Sequence, residues 1–169
     1  MFPRLLIPVK SRAISRGGLV RYPADMSIRL SAGVVVVRNL KGSWLFLMLR
    51  AYRNWDFPKG LVESGELPLH AAIREVKEET LIDALQFSWG EVYRETAPYS
   101  HKKVARYYVA RTSTEAVTLP VRPELGRAEH NEWRWVTFEQ GLALCSPRLD
   151  PIIRWANEMI GSAGSPAGS

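Results

Sequence analysis

A run of apolar, mostly β-branched residues at positions 32–37, Ala-Gly-Val-Val-Val-Val, constrains the fold more than any other feature of the chain. β-Branched residues favour strands, and a strand that is apolar on both faces must be covered on both sides. A turn-forming segment, Asn39–Ser43, follows it and leads to a second apolar run, Trp44–Leu49. The pattern therefore predicts two neighbouring strands, the first of which is buried on both faces.

Helical and strand-like segments are intermixed along the rest of the chain. A loop rich in Pro, Gly and Asn covers residues 50–65, and Pro68 suits the first turn of a helix. Apolar residues then recur at helical spacing from Leu69 to Val76. Such a mixture predicts an α/β sandwich rather than an all-α or all-β domain. The other predicted strands cover Phe87–Thr96, Val104–Arg111 and Glu132–Val136, and the other predicted helices cover Phe138–Leu144 and Asp150–Ile160.

The charge is distributed unevenly over the 169 residues. Residues 1–25 carry five basic residues and one acid, +4 of the net charge of +6, so the remainder carries 6 − 4 = +2. We predict a basic, flexible arm over residues 1–26, one domain over 27–160 and a disordered tail over 161–169.

The single cysteine excludes an internal disulfide, and no apolar stretch approaches the roughly 20 residues of a membrane span. We therefore expect a cytoplasmic protein that has no membrane partner.

Three glutamates crowd one face of the predicted helix. Glu75, Glu78 and Glu79 are spaced i, i+3 and i+4, so their carboxylates project from one side and repel one another. A cation such as Mg²⁺ relieves this repulsion, because it prefers carboxylate oxygens and is commonly shared with substrate phosphates. Glu66, just before the helix, is expected to fold back towards the cluster. The alternative is a solvated acidic face with Arg74 as an ion-pair partner.

The spacing of these charges extends beyond the helix. Residues 60–82 read G-L-V-E-S-G-E, then after seven residues R-E-V-K-E-E-T-L-I. They resemble the Nudix box, G-x₅-E-x₇-R-E-U-x-E-E-x-G-U with U apolar, and fill every charged position. Leu81 replaces the glycine that ends the helix in a left-handed conformation, which costs another residue about 1–2 kcal/mol. The resemblance implies a Nudix-type α/β/α sandwich with a mixed sheet, and hydrolysis of a phosphoanhydride bond.

The resemblance also implies roles for individual residues. Glu75, Glu78 and Glu79 would ligate Mg²⁺, or Mn²⁺ in its place, together with the carbonyl of Gly60. Arg74 would orient a glutamate by charge-assisted hydrogen bonds. A metal-activated water would then attack phosphorus.

The proton acceptor differs among Nudix enzymes. The candidates here are Glu79 and two glutamates outside the motif, Glu129 and Glu132, for which surface charge is the alternative. With Arg74 and Glu78, Glu79 and Glu129 make up the predicted catalytic set.

Segments outside the Nudix box narrow the range of expected substrates. Residues 55–60, W-D-F-P-K-G, are similar to Nudix enzymes that cut dinucleoside polyphosphates asymmetrically, and also to bacterial RNA 5′-pyrophosphohydrolases. Residues 103–108, K-V-A-R-Y-Y, and 129–135, E-H-N-E-W-R-W, are similar to segments of the diadenosine tetraphosphate hydrolases. The resemblance implies cleavage of diadenosine tetraphosphate to ATP and AMP.

Four residues are candidates for binding this substrate. Arg50, Lys59 and Lys103 would pair with its phosphates, and Tyr107 would stack on a base. An alternative exists for the aromatic residue: Tyr107 and Tyr108 alternate along a strand, so one of them must face the core.

Two rival functions remain. One is another Nudix reaction, either removal of pyrophosphate from RNA 5′ ends or hydrolysis of nucleoside triphosphates; the charge of +2 outside the arm disfavours long RNA. The other is a nucleotide-sensing module without turnover, against which the intact set of Arg74, Glu75, Glu78 and Glu79 argues.

Overall fold

A computed structural model describes residues 6–7 and 27–162 of the chain. Most of the predicted arm and tail therefore lies outside the described residues. No helix in the described ranges is long and apolar enough to cross a membrane. The strands are β1 (Leu6–Ile7), β2 (Ile28–Leu40), β3 (Ser43–Ala51), β4 (Asn54–Asp56), β5 (Lys59–Leu61), β6 (Tyr93–Glu95), β7 (Lys103–Arg111), β8 (Val121–Arg122), β9 (Arg127–Ala128) and β10 (Glu132–Val136), and the helices are α1 (Pro68–Thr80), α2 (Phe138–Leu144) and α3 (Asp150–Ser162).

The main sheet is built around β2, the strand that contains the apolar run. Its order is β10-β3-β2-β7-β6, with β1 and β5 also paired to β2 and β4 paired to β3. β2 and β7 are parallel, and all other pairs are antiparallel. The predicted mixed sheet is confirmed.

Alternating side chains of β2 supply two separate cores. Val34 and Val36 face α1, where they join Ala72 and Val76 in one buried cluster. Val35 and Val37 face the other side and pack in a second cluster with residues of α3 such as Ile153. Because helices cover both faces of the sheet, the predicted α/β/α sandwich is confirmed.

The end of α1 shows how the chain accommodates Leu81. Leu81 adopts the left-handed conformation (φ 59°, ψ 11°), and its N–H donates to Lys77 O at 2.9 Å. Its side chain is exposed, whereas the next residue, Ile82, is buried in the core. The helix therefore ends as a Nudix box requires, at the conformational cost that glycine would avoid.

Four regions differ from the sequence-based expectation. The loop over residues 50–65 contains β4 and β5, which tie it to the sheet. Residues 87–92 are not a strand, because they turn at Gly90, whose φ is 82°. The last helix continues through Ser162, two residues into the predicted tail, and at the other end Leu6–Ile7 pair with β2.

Candidate active site

Gly60 brings the backbone of β5 directly onto a carboxylate of α1. It pairs with Ala32 of β2, and a Cβ atom built on it would lie 2.1 Å from Cδ of Glu75. Gly33, the residue after Ala32 in β2, allows a similar close approach to the loop before β5, since a Cβ there would lie 2.2 Å from the carbonyl oxygen of Pro58. Two glycines are therefore required to place the loop between the sheet and the helix.

Arg74 holds the loop and the helix together. Its Nε and Nη2 donate to the two carboxylate oxygens of Glu66 at 2.8 and 3.0 Å, and its Nη1 donates to Oε1 of Glu75 at 2.7 Å. The bond from Arg74 holds the pKa of Glu66 below its ordinary value. The expected return of Glu66 to the cluster and the orienting contact of Arg74 are both present in the structure.

Glu79 is the most deeply placed acid of the cluster. Only 4% of it is exposed, and Oε2 accepts a hydrogen bond from the N–H of Lys59 at 3.2 Å. Burial raises the pKa of Glu79 well above its ordinary value, and the charges of Glu129 and Glu75 raise it further. A solvated acidic face is therefore the wrong interpretation for Glu75 and Glu79, both of which are buried.

Glu78 is more exposed and points towards arginines. Its Oε2 accepts from Nη1 of Arg122 at 3.0 Å and, more weakly, from Arg74 at 3.4 Å. Among the residues that the structure describes, no three acidic, histidine or cysteine side chains converge closely enough to enclose a metal ion. The donor chemistry still fits a hard divalent cation, because the mutual repulsion of Glu75, Glu79 and Glu129 is what such an ion removes.

A second network lies on the other side of Lys59, and in it a single carboxylate contacts two cations. The carboxylate of Asp56 accepts from the hydroxyl of Tyr107 at 2.7 Å and from Nη2 of Arg148 at 2.8 Å, and it pairs with Nζ of Lys59 at 3.2 Å. Burial acts to raise the pKa of Asp56, but Lys59 and Arg148 outweigh it, and the net pKa lies below its ordinary value. Asp56 therefore remains an anion that holds two cations in place.

These cations line a cleft of about 570 Å³, within the usual range for small-molecule sites. The guanidinium of Arg148 lies 4.2 Å from the ring centre of Tyr99. Among the described atoms, Nη1 of Arg148 and Oγ of Ser146 are buried without a hydrogen-bond partner. The cleft also reaches Glu129, which links it to the acidic cluster.

The cleft and the acidic cluster thus stand side by side and share Lys59. Residues 27–156 match the NUDIX domain. The chain belongs to the Nudix family. Like other Nudix hydrolases it is an enzyme, and the acidic cluster is its Nudix box.

A curated relative and a solved structure, both from Caenorhabditis elegans, are named for the hydrolysis of dinucleoside polyphosphates. The asymmetrical bis(5′-nucleosyl)-tetraphosphatase of Caenorhabditis elegans is 35% identical over 120 residues, which cover 68% of this Nudix chain and 83% of that protein. A solved binary complex of the C. elegans Ap4A hydrolase superposes with a TM-score of 0.68 at 26% identity, over 80% of this chain and 99% of that one.

A more distant relative has another activity. The RNA pyrophosphohydrolase of Psychrobacter arcticus is 25% identical over 124 residues, which cover 65% of this chain and 70% of that protein.

The structure places the four predicted substrate-binding residues of this Nudix hydrolase in different environments. Lys59 lines the cleft. Arg50 is paired with Glu132 at 2.7 Å, and Lys103 begins β7, where its backbone is bonded to that of Tyr99. Tyr107 is fully buried, so the prediction that it stacks on a base is wrong; its ring packs in the core.

Several residues of the site were missed from the sequence. Tyr99, Arg122 and Arg148 come from segments without a motif, and only the fold brings them to the Nudix box and the cleft. Asp56 lay inside W-D-F-P-K-G and could have been noticed as an acid placed three residues before a lysine.

Proposed function

We propose that this Nudix hydrolase cuts a phosphoanhydride bond of a dinucleoside polyphosphate, with diadenosine tetraphosphate cleaved to ATP and AMP. The observation that carries the proposal is the cationic, aromatic cleft beside the acidic cluster. Lys59 and Arg148 both line the cleft and share one counter-ion there, Asp56, so two cations are available to pair with phosphates. The names of the C. elegans relative and of the structural neighbour support the same substrate class.

The metal is proposed as Mg²⁺. Glu75, Glu78 and Glu79 would hold it with the carbonyl of Gly60, and when bound it would activate a water and neutralise charge on the leaving phosphate. Arg74 would keep Glu75 in place through the bond that already exists between them.

We propose Glu129 as the residue that accepts the proton of the attacking water. Glu129 lies at the rim of the cleft and within electrostatic reach of Glu79. Glu79 is a poorer candidate for this step because one of its oxygens already accepts the N–H of Lys59. Glu132 on β10 is the weaker candidate, because its carboxylate is held in ion pairs with Arg50 and Arg134.

Substrate binding is assigned to the cleft. Nζ of Lys59 and the guanidinium of Arg148 would bind phosphate oxygens, and Tyr99 would stack on a base in the role proposed from the sequence for Tyr107. Arg50 and Lys103 remain candidates for contacts further along a long substrate.

Removal of pyrophosphate from RNA 5′ ends is the second candidate, because the P. arcticus relative carries that name. The charge of only +2 outside residues 1–25 is modest for a long RNA.

The test is chromatography of the products formed from diadenosine tetraphosphate, with Mg²⁺ and with EDTA. We expect ATP plus AMP with Mg²⁺ and intact substrate with EDTA. Two molecules of ADP would contradict the asymmetric cut. No cleavage of this substrate, followed by cleavage of triphosphorylated RNA or of nucleoside triphosphates, would transfer the function to that class. Nucleotide binding without turnover of any of them would identify a sensing module.

A further inference from the structure

Arg122 reaches the Nudix box from a distant part of the chain. It lies on the hairpin formed by β8 and β9, residues 121–128, and its Nη1 donates to Oε2 of Glu78 at 3.0 Å. Its Nε donates to Glu124 of the same hairpin at 2.9 Å. The hairpin thus contacts α1 at Glu78, one of the residues proposed to hold the metal.

Arg122 supplies positive charge to the acidic cluster. Burial acts to lower the pKa of Arg122, but its bonds to Glu124 and Glu78 and the charge of Glu129 raise it overall. A guanidinium and a divalent cation cannot both take the same oxygen of Glu78 without repelling each other. Binding of a metal at Glu78 must therefore displace Arg122 or be weakened by it.

The hairpin is built so that Arg122 can move at little cost. Only two residue pairs join β8 to β9, and this small sheet is separate from the main sheet. Val121 and Leu125 are exposed, so few apolar contacts hold the hairpin down. A two-stranded hairpin is marginally stable by itself. Among the residues that the structure describes, a second polar contact joins Nη2 of Arg127 to the hydroxyl of Tyr52 at 2.8 Å.

We propose that Arg122 is a substrate-binding residue that exchanges Glu78 for a phosphate group of the nucleotide when a divalent cation binds the carboxylates. This inference rests on the proposed function. A guanidinium released from a carboxylate is suited to bidentate binding of phosphate oxygens. Glu129 lines the cleft and lies within electrostatic reach of Arg122, so the displaced guanidinium stays near the cleft in which Lys59 and Arg148 would hold the same polyphosphate.

The exchange predicts opposite effects on metal and nucleotide affinity. In Arg122→Ala, Mn²⁺ binding to the nucleotide-free protein, measured by electron paramagnetic resonance, is expected to be about tenfold tighter, because the competing cation is gone. Binding of ATP at saturating Mg²⁺, measured by calorimetry, is expected to be about tenfold weaker, because a phosphate contact is lost. Arg122→Lys keeps the charge and should lie between the two proteins in both measurements.

Arg154→Ala is the matched control. It removes an arginine that pairs with Asp150 on α3 and leaves the hairpin and its contact with Glu78 intact, so both affinities should stay as in the unmodified protein. Equal or weaker Mn²⁺ binding by Arg122→Ala would overturn the exchange, since a merely structural arginine gives no gain. Tighter Mn²⁺ binding with unchanged ATP affinity would overturn the phosphate contact. Absence of Mn²⁺ binding by the unmodified protein would overturn the proposed metal site itself, and the exchange with it.

Discussion

The two halves of the active site have opposite charge arrangements. In the Nudix box one guanidinium, Arg74, contacts three carboxylates, those of Glu66, Glu75 and Glu78. In the cleft one carboxylate, Asp56, contacts the cations of Lys59 and Arg148. The first half has an excess of negative charge, whereas in the second two cations gather around a single carboxylate. Together they fit a substrate complex in which a metal cation meets a polyphosphate anion.

Lys59 physically joins the two halves. Its backbone N–H donates to Glu79 of the box, while its Nζ pairs with Asp56 of the cleft. Lys59 belongs to β5, which Gly33 and Gly60 allow to lie close to the sheet and the helix. The following predictions test whether the box carries catalysis and the cleft carries binding.

The largest effect is expected from Glu79→Gln. Loss of this carboxylate should lower kcat for diadenosine tetraphosphate by about three orders of magnitude, since it removes a metal ligand or base. Thermal stability should not fall, because burial and the charges of Glu129 and Glu75 disfavour the ionised Glu79. Glu158→Gln, an exposed change on α3, is the control for kcat. Near-normal turnover by Glu79→Gln would remove Glu79 from the catalytic set.

Asp56→Asn should have the largest effect on stability. It leaves Lys59 and Arg148 without their shared counter-ion, and breaking such a buried pair costs about 3 kcal/mol in the free energy of unfolding. Urea unfolding at pH 7 measures it. Asp150→Asn breaks an exposed aspartate–arginine pair instead and should change little. Equal stability of Asp56→Asn and the unmodified protein would show that Asp56 does not organise the cleft.

The same pair of proteins gives a pH test. The folded-state pKa of Asp56 lies below its ordinary value, because Lys59 and Arg148 outweigh the effect of burial. Its stabilisation is therefore fully present above the unfolded-state pKa and is lost as the pH falls through the lower folded-state value. The difference in unfolding free energy between the unmodified protein and Asp56→Asn should persist at neutral pH and shrink in acid. A difference that does not change between neutral pH and acid would contradict this.

The sequence predicts the Nudix box better than the cleft, because the residues of the box lie close together along the chain. The box was found because Glu66, Arg74 and the three glutamates of α1 lie within 14 residues, where helical spacing alone brings carboxylates together. The sandwich was found for a similar reason, since the run at 32–37 requires cover on both faces.

The cleft could not be predicted in the same way. Arg148 meets Asp56 across 92 positions, and Arg122 meets Glu78 across 44. No local periodicity encodes such contacts, because they depend on where α3 and the hairpin dock. The sequence could not predict whether Tyr107 is buried. The alternation of side chains along a strand shows that one of two neighbouring residues faces the core, but it does not show which side holds the substrate.

That correction can be tested by comparing the two tyrosines. Tyr99→Ala should raise KM for diadenosine tetraphosphate about tenfold, the usual effect of losing one stacked base. Tyr107→Phe should leave KM unchanged but lower the free energy of unfolding by about 1–2 kcal/mol, because Asp56 loses a hydrogen bond. Steady-state kinetics and urea unfolding of both variants separate binding from stability. A raised KM in Tyr107→Phe with normal stability would restore Tyr107 as a binding residue.

The smallest effect concerns Leu81, where the box departs from its family. Leu81→Gly removes the strain of a left-handed leucine, and after the added freedom of glycine in the unfolded chain it should stabilise the protein by about 1 kcal/mol. Leu81→Ala keeps the strain and removes the exposed side chain, so it should give no gain. Urea unfolding measures both. The side chain of Leu81 is exposed and its N–H bonds to the carbonyl oxygen of Lys77, so the substitution leaves the acidic side chains unchanged and kcat should be the same in all three proteins. A stabilised Leu81→Gly with lowered kcat would mean that the strained helix end serves the reaction by positioning Glu78 and Glu79.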